Sequence, residues 1–553
     1  MTVDPEAVHP ARELPVVVAG AILGALVLFW PLPLHLMDSL VTIPTAEGPE
    51  HVWRWWVAGQ VGVPWGGFFP GLNHPDGLTV HVVDPLHALL ALVLGWWWGG
   101  PAAGLAVVQV AGVVVGAVAG WLLAAETGAD RAGRLLGTAA GLAIPTVIGS
   151  GLDGITEGLG LAWTGVQLAL LLRLTRTRAR WDVLGFAVAL GCAAWSGPYT
   201  LVFSALIDGV VGVAVLRRTR LPIVGGLMGS VLASPVIWAA WSLVDQGPGG
   251  ALRGAVERPP MVAAWRGAWR EGADLFDVFL PSWVTGHCAE APTTGYLGFV
   301  WVAVVGWGLL RAARGGMVRR VLPWLLGGTA FCVLALGPFV VVGGEVLTIG
   351  TAELWAPAAF LEQVPVLERL SRWYRAAAVA VLLLIPVATH AVRGRSLAFT
   401  AVIALMVVVD ARSGSPASFP GPTVSVPEVD WSVVEGPIAE LPAVHPLGRS
   451  GSVADQNLLL QTLHGQPTSG TIDARPGAAT DHPGVRVLSR VMRPDIPDRA
   501  ALVVSARRQL VRDGYRSLLV YADRLPPGAR DYLTPSLGPG RELAPGLWLF
   551  PLK

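Results

Sequence analysis

The chain has 553 residues, of which 53% are hydrophobic and 14% are charged. Soluble globular proteins carry about 25% charged residues, so this composition excludes an ordinary water-soluble protein and predicts a chain that lies mostly in lipid. The formal net charge of +1 gives no reason to expect nucleic acid as a partner. Cys192 and Cys332 lie inside apolar runs and Cys288 stands alone in a polar loop, which indicates neither a disulfide framework nor a zinc site.

Apolar runs long enough to cross about 30 Å of hydrocarbon recur along most of the chain. The first follows a single Arg12 and is longer than the apolar part of a secretory signal, so we interpret it as an uncleaved signal anchor. We predict about eleven transmembrane helices, at 14–36, 102–125, 134–151, 158–174, 181–197, 199–216, 221–243, 296–310, 321–342, 375–392 and 396–411.

Four basic clusters in short connections predict the orientation, since such clusters stay on the cytoplasmic side. They begin at Arg173, Arg217, Arg311 and Arg393. The N-terminus is then cytoplasmic. The expected external segments are 37–101, 152–157, 244–295, 343–374 and everything after Arg412.

The apolar stretch 85–98 is short for a span, and a crossing there would reverse the side of every later basic cluster. We therefore interpret it as a juxtamembrane or re-entrant helix, with Trp96, Trp97 and Trp98 in the headgroup region. A short true span is the alternative.

Glycines recur every fourth residue in two predicted spans, which places small residues on one helix face for close packing. Packing within one bundle is the favoured interpretation, and homodimerisation is the alternative. The glycines are Gly112, Gly116, Gly120, Gly133, Gly137 and Gly141.

After Arg412 the composition changes to a Pro-, Ser- and Gly-rich linker. We predict a transmembrane domain at 1–412, a linker at 413–427 and a small external α/β domain at 428–553. In the last of these, 501–513 has helical spacing, 517–521 is typical of a buried strand and 547–551 of a final strand.

The first external segment contains an acidic pair beside tryptophans, Glu47 and Glu50 followed by His51 and Trp53, at the start of an expected amphipathic surface helix. A carboxylate there can act as general base towards an acceptor hydroxyl, although a solvated carboxylate is the simpler interpretation. Its histidines match no zinc signature and are interpreted as scattered interfacial residues. We expect no cofactor, and a divalent metal stays open.

Asp153 and Glu157 occupy a very short external turn, where carboxylates are costly to desolvate and tend to be functional or paired. Helix capping is the structural alternative. Arg369, Arg372 and Arg375 precede a span on the external side. Guanidinium groups bind phosphate oxygens bidentately, so these arginines are candidates for holding a lipid phosphate, although they could also anchor the helix at the interface.

Taken in order, these features resemble a bacterial branch of the GT-C superfamily, multi-span enzymes that pass a sugar from a polyprenyl-phosphate carrier to an acceptor outside the membrane. The chain has Glu50 where the superfamily usually has Asp, and Arg369-Leu-Ser where the branch has Arg-x-Pro. The matching segments are Glu50 with its tryptophans, Pro75-Asp-Gly77, 85–98, Asp153 or Glu157, Asp277-Val-Phe-Leu-Pro281-Ser282, Tyr296-Leu-Gly298, 365–374, Glu440-Leu-Pro442 and 461–467.

The resemblance implies an α-helical polytopic protein of a bacterial inner membrane with a GT-C-like fold. It implies an enzyme of the cell envelope that uses a polyprenyl-phosphate sugar, with the acceptor left open. Glu50, Asp153 and Glu157 would be catalytic, Arg372 and Arg375 would bind lipid phosphate, and Glu47, His51 and Trp53 would lie at the acceptor or the interface. The alternatives are a transporter or flippase of lipid-linked glycans, and a catalytically silent assembly subunit.

Overall fold

The computed structural model describes residues 12–44, 47–216, 220–245, 272–281, 284, 295–364, 367, 370, 372–415, 417–441, 451–469, 483–491, 498–522, 525 and 529–552. The chain divides into two compact units. The first unit comprises Met1–Leu34, Val83–Leu90 and Ala106–Pro422. The second unit comprises His35–Val82, Ala91–Leu105 and Thr423–Lys553.

Helices dominate the first unit, and a helix lies within each apolar segment that the sequence predicts as a span. In chain order the helices are α1 Leu14–Leu28, α2 Gly48–Val61, α3 Pro85–Leu90, α4 Trp97–Glu126, α5 Arg131–Leu142, α6 Pro145–Asp153, α7 Trp163–Thr177, α8 Arg180–Trp195, α9 Pro198–Leu216, α10 Leu221–Asp245, α11 Leu275–Phe279, α12 Phe299–Arg314, α13 Val318–Ala335, α14 Ala358–Leu361, α15 Ala376–Val392, α16 Leu397–Ser413, α17 Gly451–His464, α18 Pro483–Val491, α19 Arg499–Arg512 and α20 Ala529–Leu537.

Within the described residues, six helical stretches are long and apolar enough to cross a membrane. They are Pro85–Glu126, Arg131–Asp153, Thr156–Thr177, Leu221–Ala239, Val318–Ala335 and Trp373–Val392. The protein is thus a helical, multi-pass membrane protein, and the number of eleven spans stays a prediction.

The apolar stretch 85–98 forms a helical arm distinct from the rest of α4. Gly100, with φ +60° and ψ −144°, interrupts α4 just before Pro101, a backbone conformation that glycine adopts without steric cost. A Cβ on Gly95 would lie 2.6 Å from the carbonyl oxygen of Ala103, so the chain turns back on itself here. Two helical arms are therefore present, and the position of the first relative to the membrane plane stays a prediction.

The two glycine stripes face each other across α4 and α5. A Cβ on Gly120 would collide with the carbonyl oxygen of Gly137, and one on Gly116 would collide with that of Gly141. Close backbone contact between the helices thus requires residues without a side chain. The prediction of packing within one bundle is confirmed.

This contact predicts that Gly120→Ala lowers the free energy of unfolding by about 1–3 kcal/mol, the usual cost of overpacking. Gly226→Ala in α10 is the matched control, because nothing lies within 4 Å of a Cβ at that position. Thermal unfolding in detergent should show a lower Tm for the first variant and an unchanged or higher Tm for the second. Equal Tm values would contradict the packing argument.

The second unit contains a four-stranded sheet of β9 Ile438–Leu441, β10 Ser517–Tyr521, β11 Arg541–Ala544 and β12 Leu547–Pro551. Its strand order is β11-β12-β10-β9, in which β10 is parallel to β9 and antiparallel to β12. Val503, Ala506 and Leu510 of α19 are fully buried in the same core cluster as Leu518 and Val520 of β10. The strands in chain order are β1 Ser39–Val41, β2 Gly66–Phe69, β3 Leu78–His81, β4 Val341–Val342, β5 Glu345–Val346, β6 Thr348–Ile349, β7 Ala352–Glu353, β8 Thr423–Ser425, β9 Ile438–Leu441, β10 Ser517–Tyr521, β11 Arg541–Ala544 and β12 Leu547–Pro551.

The helix predicted at 501–513 and the strands predicted at 517–521 and 547–551 are present as α19, β10 and β12. The second unit also takes in His35–Val82, which the sequence assigns to the transmembrane domain. The antiparallel pairing of β1 with β8 is one of the contacts between His35–Val82 and the C-terminal part of this unit. The proposed boundaries at 412 and 427 stay predictions.

The expectation of an amphipathic surface helix at Glu50 is wrong. Trp53 and Trp55 of α2 are fully buried. Trp53 and Trp56 pack edge-on against Phe69 and share a core cluster with Leu458 of α17. The indole Nε1 of Trp53 donates a hydrogen bond to Gln461 Oε1 at 2.7 Å. A tryptophan suits any surface that is apolar around the ring and polar at the nitrogen, and here protein supplies that surface.

Candidate functional site

In the first unit, a buried ion pair joins the turn that contains Asp153 and Glu157 to the start of α15. Nη1 of Arg375, which is fully buried, donates to Oε1 of Glu157 at 2.6 Å. The two residues are 218 positions apart in the sequence. The structure thus brings together two residues that the sequence singled out separately.

Local backbone geometry places both partners. Gly154, with φ +74°, ends α6 in the left-handed conformation, and the chain then enters a 3₁₀ helix, Thr156–Ala162, with Glu157 in its first turn. Arg375 ends a 3₁₀ turn, Trp373–Arg375, that leads directly into α15. Asp153, the last residue of α6, is buried as well.

Tyr199, at the start of α9, completes this cluster. The guanidinium carbon of Arg375 lies 4.3 Å from the centroid of the Tyr199 ring, a cation–π contact. The hydroxyl of Tyr199 accepts a hydrogen bond from the backbone nitrogen of Arg372 at 2.8 Å. Tyr199 could not be predicted from the sequence, because a tyrosine that begins an apolar helix gives no signal of its own.

One edge of the Arg375 guanidinium has no hydrogen-bond partner among the described residues. Nε and Nη2 are buried and have no hydrogen-bond partner within the described residues, and the same holds for the hydroxyl of Tyr374. Leaving charged donors unpaired in the interior costs free energy. Nε and Nη2 form the edge through which arginine binds two oxygens of one carboxylate or phosphate. This cluster of Glu157, Tyr199, Arg372, Tyr374 and Arg375 is hereafter called the arginine site.

A second buried group lies against the same turn. The hydroxyl of Thr156 donates to Oδ2 of Asp84, and Nδ1 of His87 lies 3.2 Å from the same oxygen. Asp84 is fully buried and His87 is nearly so, which makes His87 a paired side chain within the fold, while its position relative to the membrane interface stays a prediction. The signal for Asp84 was its place directly before Pro85, since Asp followed by Pro often begins a helix.

Glu50 lies in the second unit and is paired locally. Its Oε1 accepts from Nε of Arg54 at 2.8 Å, and Nη1 of Arg54 donates to the carbonyl oxygen of His81 at 2.7 Å. His51 Nε2 lies 3.8 Å from Glu47 Oε2. The expected convergence of Glu50 with Asp153, Glu157 and the arginines stays a prediction. Arg369 lies outside the described residues.

Across the described parts of the chain, no group of three or more His, Cys, Asp or Glu residues could hold a metal ion. Arg375 can bind an anion, and the carboxylates of the site can transfer protons.

The fold of the described helices is similar to that of GT-C-like glycosyltransferases. The chain is similar to the mycobacterial arabinofuranosyltransferase AftD, with a TM-score of 0.52 and 16% identity over 98% of this chain and 40% of the AftD chain. A mutant of AftD gives a TM-score of 0.53 and 18% identity over 100% of this chain and 42% of that one. The present chain thus spans about two fifths of the length of AftD.

The oligosaccharyltransferase of Archaeoglobus fulgidus aligns with a TM-score of 0.43 and 12% identity, over 92% of this chain and 69% of that one. No protein-family model matches the chain, and no curated protein is significantly similar to it.

Proposed function

We propose that this protein transfers a sugar from a polyprenyl-phosphate-linked donor to an acceptor at the external face of the membrane. The observation that carries the proposal is the edge of the buried Arg375 that has no partner among the described residues, with the guanidinium held in place by Glu157 and Tyr199. A phosphate oxygen pair satisfies both free nitrogens, and a lipid-borne phosphate reaches such a group laterally from the bilayer.

The reaction breaks the bond between the anomeric carbon and the phosphate oxygen and forms a bond from that carbon to an acceptor oxygen. The acceptor proton passes to a general base, and polyprenyl phosphate leaves with its negative charge, which Arg375 stabilises. Glu50 is the proposed base, with Asp153 and Glu157 as the other carboxylates. Arg372 is the second proposed phosphate ligand, and Glu47 and His51 are proposed for the acceptor side.

The proposal includes eleven spans, a cytoplasmic N-terminus and an external C-terminal domain in a bacterial inner membrane, supported by the four basic clusters. Single cysteines at Ser452 and Thr177, in a chain without its native cysteines, should react with an impermeant maleimide from outside and from inside, respectively. The opposite pattern at either position would overturn this topology.

The activity is tested with purified protein in liposomes that contain polyprenyl-phosphate-linked sugars. Because AftD is an arabinofuranosyltransferase, a polyprenyl-phosphate-linked arabinofuranose is the first donor to test. The expected result is release of polyprenyl phosphate together with a glycosylated acceptor. When no acceptor is added, the expected products are polyprenyl phosphate and free sugar. Movement of intact donor across the bilayer without release would favour a flippase. Folded protein with neither activity on any donor would favour a silent assembly subunit.

A further inference from the structure

Polar side chains follow one face of two apolar helices that pack together, α7 and α9. Thr200, Ser204 and Asp208 recur every fourth residue on α9, and Thr164 and Gln167 lie on α7. Nε2 of Gln167 donates to Oδ2 of Asp208. The hydroxyl of Ser204 donates to that of Thr164 at 3.4 Å. These five residues, hereafter called the polar seam, are not used by the proposed transfer reaction.

Asp208 lies deep within its helix. It follows Pro198, the first residue of α9, by ten positions, which corresponds to about 15 Å along the axis. If α9 spans the bilayer as proposed, that distance is about half of a 30 Å hydrocarbon layer. An ionised carboxylate is expensive at this depth, and carboxylates found there are as a rule paired or functional.

The Asp208–Gln167 pair has two buried acceptor atoms that lack a hydrogen-bond donor among the described residues. Oδ1 of Asp208 and Oε1 of Gln167 are both buried, and neither has a donor within the described residues. Gln167 itself is 1% exposed. Two acceptors without a donor cannot satisfy each other, because an ionised carboxylate and an amide oxygen only accept. One added proton corrects this, since a protonated carboxyl supplies the missing donor.

We propose that the polar seam is a proton-binding site, with one proton carried by Asp208 and shared with Oε1 of Gln167. The acid and the amide then form two hydrogen bonds, Nε2–H to Oδ2 and Oδ1–H to Oε1. A metal cation fits less well than a proton, because hard metal ions take about six to eight oxygen ligands and the pair offers two free oxygens.

Among the described residues, Gln167 is the one hydrogen-bond partner of the Asp208 carboxyl. Elements that pack against α9 include α7, α8, α10 and the Thr156–Ala162 turn, together with the Trp373–Arg375 turn and α13, whose Trp373 and Phe331 contact the ring of Phe203. The titratable side chains described on these elements are Glu157, Tyr374 and Arg375 in the two turns, Arg173 and Arg176 on α7, Arg180, Asp182 and Cys192 on α8, and Arg319, Arg320 and Cys332 on α13, while Asp245 ends α10.

The position of the pair gives the proton a consequence for the arginine site. α7 continues directly from the turn that carries Glu157, and α9 begins at Pro198, next to Tyr199. The protonated pair therefore connects the two helices that position Glu157 and Tyr199 around Arg375. Ionisation of Asp208 removes the hydrogen bond from its Oδ1–H to Oε1 of Gln167 and places a negative charge between α7 and α9.

The test uses dicyclohexylcarbodiimide, which adds to a protonated carboxyl in an apolar environment and rearranges to a stable N-acylurea. Purified full-length protein in detergent is treated over a pH series and mapped by mass spectrometry. Asp208 should be labelled at neutral and lower pH, and labelling should fall about tenfold for each pH unit above its midpoint. Asp208→Asn should carry no label in α9. Asp182, held by Arg173 at 3.0 Å, is the matched carboxylate and should stay unlabelled.

Infrared spectroscopy provides a second readout that is independent of reagent access. The carbonyl band of a protonated carboxylic acid should be present in the wild type and absent in Asp208→Asn, which keeps an amide in place of the acid and one hydrogen bond to Gln167. A wild type without label and without that band would overturn the proposal. Loss of labelling on addition of sodium at constant pH would assign the site to a metal cation instead. Neither readout requires sugar transfer, so a failure here is distinct from a failure of the proposed function.

Discussion

Replacing Arg375 by alanine is expected to lower the free energy of unfolding by about 3–5 kcal/mol, because it leaves the Glu157 carboxylate without its buried partner. The guanidinium is fully buried, and the Glu157 side chain is 16% exposed. Chemical or thermal unfolding in detergent measures this loss. A variant as stable as the wild type would mean that water reaches Glu157 once the arginine is removed.

A double variant separates the stabilising role of Arg375 from phosphate binding. In Glu157→Leu combined with Arg375→Leu, apolar groups replace both charges, so stability should return to within about 1 kcal/mol of the wild type. Binding of polyprenyl phosphate should nevertheless be about tenfold to a hundredfold weaker, the loss expected for a charged hydrogen bond of about 1.5–3 kcal/mol. Unchanged binding in this stable variant would rule out Arg375 as the phosphate ligand.

Glu50→Gln is expected to reduce sugar transfer by about 10²–10⁴-fold, the contribution of a general base, while the protein stays folded. Glutamine keeps an oxygen that can accept the hydrogen bonds from Arg54 but cannot take up a proton. Initial rates at saturating donor, with far-ultraviolet circular dichroism as the test of folding, measure the effect. Glu345→Gln, at an exposed position on β5, is the control and should transfer normally. A fully active Glu50 variant would assign the base to another carboxylate.

The sequence predicts the helical framework well, because long apolar runs leave few alternatives once lipid is the solvent. The packing role of the glycine stripes could also be predicted, because small residues on one helix face allow close contact between the helices of a bundle. Within the arginine site, Glu157 and Arg375 could each be identified from the sequence alone. A charged residue next to a transmembrane span is costly to desolvate, so it is usually paired or functional.

Pairings between distant segments could not be predicted. The bond between Arg375 and Glu157 and the bond between Thr156 and Asp84 depend on how helices pack, which no local spacing records. For the same reason, the sequence could not predict that Trp53 is buried against protein rather than exposed on a surface helix. Its aromatic and polar pattern is equally suited to a lipid headgroup or to Gln461, and only the fold selects the second.

The sequence separation of Trp53 and Gln461 also sets the earliest time at which α17 can cover α2 during synthesis. The two residues are 408 positions apart, and a ribosome adding about 5–20 residues per second needs about 20–80 s to cover that distance. During this interval the aromatic face of α2 exists without the α17 segment that later covers it. Nascent chains that stop before α17 should therefore bind chaperones or be degraded through α2, however well their transmembrane helices have inserted.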